Sequence, residues 1–407
     1  MKILQVNCVY NTGSTGKIVA DIHRELQDRS YESVVCYGRG TKVDEPNVYK
    51  TCGEIYSKLN NLVTRFTGIM YGGCWFSTNK LISIIKKEKP DIVHLHCING
   101  YFVNIYRLIR WLKDNQIKTV LTLHAEFMYT ANCGHAFECE KWKTGCGHCP
   151  RRKKETKSLF LDGTARSWRK MQQAFDGFEE NCVVTSVSPW LMNRAKESPI
   201  LRSFMHETVL NGLDADRVFY PRDGSEIRKK LGLEGKPFVL HVTPAFSLDK
   251  DHIKGGWYVV ELAKRMPETA FVIVGNRTPI EGVPDNVYDI GRVEDQQELA
   301  KYYSAADVTL LTSKKETFSM VVAESLCCGT PVVGFKAGAP EQIALPEFSE
   351  FVECGEMTAL TCAIEEWLET SVKAEEVGCL GHLAYNQNNM CSNYITVYEN
   401  ALLDKRC

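Results

Sequence analysis

The chain has 407 residues, of which 44% are hydrophobic and 24% are charged, and its formal net charge is −1. A globular composition of this length favours two domains, and the near-zero charge argues against binding of nucleic acid or an anionic membrane through overall charge. No apolar run approaches the roughly eighteen residues of a membrane span, and "MKILQVN" leads directly into a predicted strand, so no signal peptide is expected.

The first half of the sequence alternates between buried strands and helices. The first strand, "KILQVNCVY", is followed by the turn "NTGSTG" and by a helix from about Lys17 to Arg29. Further strands are "SVVCYG", "DIVHLHC", "KTVLTLHA" and "NCVVTSVS", and the helix "YRLIRWLKDN" separates the third strand from the fourth. Short apolar runs separated by helices are typical of parallel strands that are covered on both faces.

The second half repeats this pattern. Its strands are "FVLHVT", "AFVIVGN", "NVYDIG", "VTLLTS" and "PVVGF", and its helices are "GWYVVELAKRM", "DQQELAKYYSAA" and "SMVVAESLCCG". The two series predict an α/β protein with two doubly wound, Rossmann-like domains. We expect an N-terminal domain over residues 1–200, a C-terminal domain over residues 201–385, and a helix over residues 386–407 that packs back on the N-terminal domain.

Four residues of the first half follow the ends of predicted strands, where open α/β sheets bind their ligands. Gly13 and Gly16 follow the first strand and allow close backbone approach at a helix N-terminus. His96 and His124 follow two consecutive strands. The alternative interpretations are a tight strand-to-helix turn for the glycines and hydrogen-bonded core residues for the histidines.

Two acidic residues flank an apolar segment in the second half. Glu316 lies in the loop after "VTLLTS", a helix is predicted to begin near Phe318 or Ser319, and Glu324 lies about one and a half turns into it. The free N–H groups at the start of such a helix favour a phosphate, and carboxylates there reach sugar or ribose hydroxyls. The alternative makes Glu316 a helix-terminal acid and leaves Glu324 solvated.

This segment resembles the signature of glycosyltransferase family four, which comprises retaining enzymes of the GT-B fold, with two Rossmann-like domains facing a central cleft. The resemblance extends over essentially the whole chain. Its matching features are Glu316, Phe318, Glu324, "CGTPVV" from Cys328, "AGAPE" from Ala337, "VLNGLD" from Val209, "VIVGN" from Val272 and "DIGRV" from Asp289.

The resemblance implies a nucleotide-sugar donor that is bound mainly by the C-terminal domain. It implies that Glu316 contacts the donor sugar, as a catalytic residue, and that Glu324 contacts the ribose. The backbone expected to hold the diphosphate or the sugar is that of Phe318, Ser319 and Met320.

The sequence departs from the family at the cations that contact the diphosphate. The family usually has an arginine a few residues before a lysine–glycine pair, and here the stretch is "HVTPAFSLDKDHIKGG". Lys254 matches the lysine, but no arginine precedes it. Lys250 is the candidate substitute, as a point charge rather than a bidentate fork. Gly275, at the end of "VIVG", is a further expected donor-binding residue.

The family mechanism implies catalysis without a bound divalent metal. In the GT-B fold, helix N-termini and cations neutralise the leaving diphosphate. The acceptor is expected on the N-terminal side, beside Gly13, Gly16 and His96. There His124 is expected to orient the acceptor or the donor sugar rather than to act as a general base.

The stretch "ANCGHAFECEKWKTGCGHCP" is a second candidate site. Its thiols follow the pattern C-x5-C-x6-C-x2-C over residues 133–149, and they belong to Cys133, Cys139, Cys146 and Cys149. In a reducing, cytoplasmic compartment this spacing favours a structural zinc, with His135 and His148 as alternative ligands. A loop of free cysteines and a set of disulfides remain as alternatives.

A similar block, with the pattern "WKTGC-x-x-C-P", occurs in bacterial glycosyltransferases that assemble capsular and extracellular polysaccharides, including colanic acid. This likeness implies a saccharide or lipid-linked acceptor in surface polysaccharide synthesis. The tract "RRKK" from Arg151 is expected to face a pyrophosphate or the anionic head groups of the inner membrane surface, and a solvated loop is the alternative. Two other classes stay open: another GT-B activity, such as a nucleotide-sugar epimerase or a phosphorylase, and a nucleic-acid binder that uses the cysteine module.

Overall fold

The computed structural model describes residues 1–275 and 280–403 and separates into two compact units. One unit comprises Met1–Leu210 and Met390–Cys407, and the other comprises Asn211–Asn389. The domain limits predicted from the sequence are residues 200 and 385, whereas the structure divides the chain after Leu210 and Asn389. Among the described residues, no helix has the length and hydrophobicity needed to cross a membrane.

The N-terminal unit is built on a seven-stranded parallel sheet. Its strands are β1 Lys2–Asn7, β2 Glu32–Tyr37, β3 Val48–Lys50, β4 Ile92–Leu95, β5 Thr119–Leu123, β6 Cys182–Ser186 and β7 Met205–Thr208. Their spatial order is β3-β2-β1-β4-β5-β6-β7. The two edge strands of this sheet were not predicted from the sequence, because β3 has only three residues and β7, "MHET", has no buried residue.

Helices connect these strands on both faces of the sheet. They are α1 Gly13–Asp28, α2 Glu54–Thr67, α3 Trp75–Glu88, α4 Ile105–Asp114, α5 Phe127–Thr130, α6 Arg152–Glu155, α7 Thr164–Phe175 and α8 Pro189–Glu197, with short 3₁₀ helices at Lys141–Lys143 and Glu179–Asn181. Helix α1 begins at Gly13, four residues before the predicted start at Lys17.

The C-terminal unit repeats the architecture with six parallel strands. They are β8 Phe238–Val242, β9 Ala270–Val274, β10 Val287–Gly291, β11 Val308–Leu311, β12 Val332–Phe335 and β13 Ser349–Val352. Their order is β10-β9-β8-β11-β12-β13. The helices are α9 Ser225–Leu231, α10 Gly256–Arg265, α11 Gln296–Ala305, α12 Met320–Cys327, α13 Pro340–Ile343, α14 Met357–Glu369 and α15 Ala374–Tyr385, with a 3₁₀ helix at Pro346–Phe348.

The last helix, α16 Gln387–Leu402, completes the core of the N-terminal unit. Its buried residues Tyr394 and Tyr398 lie in one apolar cluster with Ile3 of β1 and Ile22 of α1. The helix was predicted over residues 386–407, of which residues 404–407 lie outside the described part of the chain.

Each sheet reverses its strand order once, and this reversal positions the candidate site. In the N-terminal sheet β1 lies beside both β2 and β4, and in the C-terminal sheet β8 lies beside both β9 and β11. The connections leave a crevice at the carboxyl ends of the strands where the order reverses, and open α/β sheets bind ligands there. The ligand-binding segments are therefore expected in the loops after β1, β4, β8 and β11.

Candidate active site

Three histidines meet at the carboxyl ends of β4 and β5. His94 lies on β4, and His96 and His124 directly follow β4 and β5. His96 Nδ1 lies 3.2 Å from His124 Nε2, and His96 Nε2 lies 3.2 Å from the Gln5 side-chain oxygen. The rings of His94 and His96 are 3.8 Å apart between centroids. The structure thus brings His96 and His124, both named from the sequence, into direct contact.

These histidines are neutral near pH 7. Burial lowers the pKa of His124 to about 4. Burial also holds the pKa of His94 and of His96 well below the ordinary value, and the neighbouring histidines lower both further. A neutral imidazole donates from one nitrogen and accepts at the other. A neutral His124 can position a hydroxyl but does not suit a role as a resident cation.

The last helix of the chain, α16, contacts the histidines through a hydrogen bond with His94. Tyr398 OH lies 2.7 Å from His94 Nδ1, and His94 Nε2 lies 2.7 Å from the Thr122 hydroxyl. The Thr122 hydroxyl in turn donates to Tyr394 OH at 3.2 Å. Neither tyrosine was predicted from the sequence, because nothing in the local sequence near residue 398 indicates a partner on β4, about three hundred residues earlier.

The two glycines of the first loop have different roles. Gly13 has a φ of +64° at the first position of α1, and a Cβ there would meet open space. Gly16 packs closely, since a Cβ would lie 3.1 Å from Val9 Cγ2 and 3.3 Å from Asn11 N. Gly16 thus serves helix packing, whereas Gly13 leaves room beside the backbone at the end of β1.

In the C-terminal unit, Lys254 and Glu316 form an ion pair at the point where the strand order reverses. Lys254 lies in the loop after β8, and its Nζ is 2.6 Å from Glu316 Oε1 in the loop after β11. Both side chains are partly exposed, at 27% and 17%. The Glu316 backbone also bonds the loop after β12, since its N–H donates to Ala337 O at 2.9 Å. The pair presents a cation and a carboxylate together at the strand ends.

Two glycines keep the surrounding loops close to the sheet. At Gly255, which has a φ of +67°, a Cβ would lie 2.1 Å from Thr312 O. At Gly275, which has a φ of +110°, a Cβ would lie 2.3 Å from Thr243 O. No other residue fits either position without moving backbone. Gly275, named from the sequence as donor-binding, therefore has a structural requirement of its own.

The start of α12 follows the Glu316 loop. Ser319 precedes the helix with a φ of +98°, an unusual conformation for a residue other than glycine. Phe318 is buried against Tyr385, with ring centroids 6.4 Å apart. The helix begins at Met320, slightly later than predicted. Strained backbone of this kind is concentrated at ligand-binding sites, and here it sets the direction in which the first amides of α12 point.

Glu324 is the fifth residue of α12, and its carboxylate accepts a hydrogen bond from Tyr303 OH at 2.8 Å. Burial and the charge of Glu324 hold the pKa of Tyr303 well above its ordinary value, so the hydroxyl stays protonated and donates. Tyr303, on α11, was not predicted from the sequence. It fixes one oxygen of the carboxylate and thereby orients the other.

Lys250, the expected substitute for the missing arginine, packs on the aromatic ring of Trp257. Its Nζ lies 4.8 Å from the centroid of the Trp257 ring, a cation–π arrangement, and its backbone oxygen accepts from Lys314 Nζ at 2.6 Å. The structure therefore assigns the carboxylate-paired cation to Lys254 and places Lys250 on an exposed part of the loop.

The four thiols of the cysteine-rich loop line one small cavity of about 20 Å³, and all four are free. Burial raises the pKa of Cys133 and Cys146 to about 12. Gly147, with a φ of +140°, turns the chain between Cys146 and Cys149. Within the two described ranges, no three His, Cys, Asp or Glu side chains are placed so that they could hold a metal ion.

A buried ion pair anchors the start of this loop. Glu126 is fully buried, its Oε1 lies 2.6 Å from Arg194 Nε, and Tyr129 OH donates to the same oxygen at 2.6 Å. Glu126 Oε2 accepts from Ala136 N. The Arg194 guanidinium also lies 5.1 Å from the Trp142 ring. The loop is therefore tied to α8 through a charge pair that the sequence analysis did not identify.

Two family models match the chain. One, described as Glycosyltransferase Family 4, matches residues 15–198, and the other, described as Glycosyl transferases group 1, matches residues 223–378. Two curated relatives are similar over almost their whole length. The provisionally assigned colanic acid biosynthesis glycosyl transferase WcaC of Escherichia coli (strain K12) is 22% identical, over 98% of this chain and 100% of its own. The N-acetyl-alpha-D-glucosaminyl L-malate synthase of Bacillus anthracis is 23% identical, over 98% and 97%.

Solved structures share the fold. Sucrose-phosphate synthase from Thermosynechococcus elongatus superimposes with a TM-score of 0.67 at 16% identity, covering 98% of this chain and 99% of that one. Anabaena Alr3699/HepE in complex with UDP gives a TM-score of 0.65 at 15% identity, covering 98% and 100%. At this identity the likeness concerns the fold alone.

Each unit contains a parallel Rossmann-like sheet, and each is matched by a family model of glycosyl transferases. The protein is therefore a glycosyltransferase of the GT-B fold. The chain belongs to glycosyltransferase family four. The fold and family expected from the sequence are confirmed.

Proposed function

We propose that the protein is a retaining glycosyltransferase that moves a sugar from a nucleotide-sugar donor to a glycan or lipid-linked saccharide in surface polysaccharide synthesis. The observation that carries the donor site is the Lys254–Glu316 pair, which lies where the strand order reverses in the C-terminal sheet. A neighbour of the same fold, Anabaena Alr3699/HepE, has been solved with UDP and with UDP-glucose.

The proposed mechanism uses charge and positioning. Lys254 and the first amides of α12 neutralise the diphosphate as it leaves. Glu316 orients the donor sugar and stabilises the positive charge that develops on its ring. Glu324, held on one side by Tyr303, accepts from the ribose hydroxyls. On the acceptor side, the neutral His124 orients a hydroxyl.

The donor proposal is tested with a thermal-shift panel of UDP-, GDP- and other nucleotide sugars, because a ligand that binds only the folded state raises Tm. We expect at least one nucleotide sugar to do so. Glu324→Ala should weaken binding of that ligand by roughly 1.5–3 kcal/mol through loss of charge-assisted hydrogen bonds. It should also lower the Tm of the free protein, because the buried Tyr303 hydroxyl loses its acceptor. No shift with any member of the panel would contradict the donor assignment, and an unchanged affinity of the variant would remove Glu324 from the site.

We propose that transfer needs no divalent metal, and we expect full activity in excess EDTA. The alternative has specific candidate ligands, since Asp249 and Asp251 are exposed carboxylates in the loop after β8. In the structure the Asp249 carboxylate accepts from Asp251 N at 2.9 Å, and Asp251 lies 4.0 Å from Lys314. The proposal would be contradicted if brief chelation removed the activity and magnesium or manganese restored it. Loss of this metal-dependent activity in Asp249→Asn/Asp251→Asn would then identify the ligands.

The acceptor and its location are inferred from likeness. The cysteine block and the similarity to the E. coli colanic acid protein support a polysaccharide acceptor on a lipid carrier, and the free thiols fit the reducing cytoplasm. A nucleotide-sugar epimerase or a phosphorylase is the remaining alternative. It would be favoured if the protein epimerised or cleaved the nucleotide sugar in the absence of an acceptor.

We also propose a structural zinc in the cysteine-rich loop. The four thiols border one cavity with room for about one water-sized sphere, and a tetrathiolate site would fix a loop that has little apolar core of its own. As placed, the thiols do not converge, so zinc binding requires them to turn towards a common centre and to lose their protons.

The zinc proposal predicts about one zinc per chain in protein purified without a polyhistidine tag. It also predicts that Cys146→Ser/Cys149→Ser lowers the zinc content and the Tm together. Elemental analysis, thiol titration under native conditions and thermal unfolding are carried out on the wild type and on the double variant. Less than about a tenth of an equivalent of zinc, with all four thiols reacting freely, would rule the site out.

A further inference from the structure

Helix α2 presents its apolar residues to solvent and its small polar residues to the protein. Its buried residues are Ser57 and Thr64, and both hydroxyls donate to backbone carbonyls. Its exposed apolar residues are Ile55, Leu59, Leu62, Val63 and Phe66. Helices on a water-facing surface have the opposite arrangement. The inverted pattern indicates that another apolar phase covers the outer face of α2.

Two neighbouring segments extend this face. At the start of α3, Phe76 is 77% exposed, and its ring packs against Tyr56 of α2 with centroids 5.9 Å apart. Phe160 is 68% exposed and stacks on Phe66 at 6.2 Å. Leu159 N donates to Arg65 O at 2.8 Å and joins the second segment to the end of α2. The outer face of α2, the start of α3 and residues 159–161 therefore form one continuous apolar surface, which we call the α2 face.

Basic residues are frequent in the segments that form and adjoin the α2 face. The segments 54–67 and 151–162 together carry seven lysines and arginines against three acidic residues, a net charge of +4 in a chain whose total is −1. Glu54 is already paired with Arg39 at 2.9 Å, and Glu155 is paired with Arg151 at 2.5 Å. Lys58, Lys153, Lys154 and Lys157 are exposed. The cations left available at the rim thus outnumber the free carboxylates.

We propose that the α2 face is a membrane-docking surface that inserts its apolar side chains into the interfacial region of an anionic bilayer. An apolar stripe with aromatic residues and a basic border is the pattern of elements that lie in the plane of a membrane surface, and lysines at its edge attract anionic head groups. A second copy of this chain is less favoured as the occupant, because the border carries a net positive charge that would repel its own copy. The proposal rests on the proposed function only in that a lipid-linked acceptor lies in the same membrane.

The test is co-sedimentation of the purified protein with vesicles, without donor or acceptor. With phosphatidylglycerol and phosphatidylcholine in equal parts, we expect binding that weakens as salt is raised, and we expect much weaker binding to phosphatidylcholine alone. Leu59→Ser/Phe66→Ser should lower the partition coefficient by about tenfold or more. Leu383→Ser, a comparably exposed leucine on α15, is the matched control and should bind like the wild type.

Hydrogen exchange of the unmodified protein gives a second measurement that does not depend on the folding of a variant. Anionic vesicles should protect amides of residues 54–67 and leave those of α15 unchanged. No vesicle binding, equal binding by the double variant, or protection elsewhere on the chain would overturn the proposal. Sedimentation of the wild type as a dimer that the double variant abolishes, without vesicle binding, would also overturn it in favour of a second copy. Failure of the vesicle test leaves donor binding intact, so the two proposals are separable.

Discussion

Glu316→Gln should lower the rate of sugar transfer at saturating donor by about 10²–10³-fold, because a carboxylate that faces developing positive charge is replaced by a neutral amide of the same size. The structure holds this carboxylate 2.6 Å from Lys254, at the carboxyl end of β11. The rate is measured as release of nucleoside diphosphate in the presence of a lipid-linked saccharide extract, with the donor found by thermal shift.

The matched control is Glu353→Gln, which removes the carboxylate of an exposed pair with Lys336 in the same unit. Surface pairs contribute little, about 0–1 kcal/mol, so its activity should equal that of the wild type. A Glu316→Gln rate within about twofold of the wild type would remove Glu316 from the reaction, since such a change corresponds to less than about 0.5 kcal/mol.

Arg194→Met should destabilise the N-terminal unit by about 3–5 kcal/mol, because it leaves the carboxylate of Glu126 buried without its counter-charge. Glu126 is fully buried, whereas Arg194 retains 16% exposure of its side chain. Urea unfolding followed by circular dichroism measures the loss as a shift of the unfolding transition to a lower urea concentration.

Two variants separate the charge effect from lost packing. Glu126→Gln/Arg194→Met removes the uncompensated charge and should be less destabilised than Arg194→Met alone. Arg24→Met breaks a partly exposed pair with Asp21 and should change stability by less than about 1 kcal/mol. A loss of less than about 1 kcal/mol in Arg194→Met would show that the pair is solvated in solution.

The strand ends of both units could be predicted from the sequence, because five-residue apolar runs such as "TVLTL" and "AFVIV" indicate buried parallel strands. A polar residue immediately after such a run must lie at the carboxyl edge of the sheet. This reasoning placed His124 and Glu316 in their loops, and the family resemblance supplied the chemistry expected of them.

What the sequence did not indicate are contacts between distant segments. The Tyr398–His94 hydrogen bond depends on the last helix returning to the first sheet, and the Glu126–Arg194 pair depends on the packing of α8 against the cysteine-rich loop. Periodicity reports which face of an element is apolar but not which element covers it.

Helix α2 is a case in which periodicity predicts a buried face but the structure leaves that face exposed. Its apolar residues recur at helical spacing, a pattern that ordinarily predicts a buried face, yet Ile55 is 78% exposed. Only the structure shows that Ser57 and Thr64 face inwards instead. The outward direction of this stripe, rather than its existence, is what points to a membrane partner.

A crystal structure of the protein with its bound nucleotide sugar is the measurement that tests the account most directly. The account predicts the diphosphate at Lys254 and the first amides of α12, the donor sugar within hydrogen-bond distance of Glu316, and the ribose within that distance of Glu324. A nucleotide sugar bound away from the carboxyl ends of β8 and β11, with Glu316 and Glu324 making no contact to it, would contradict the account.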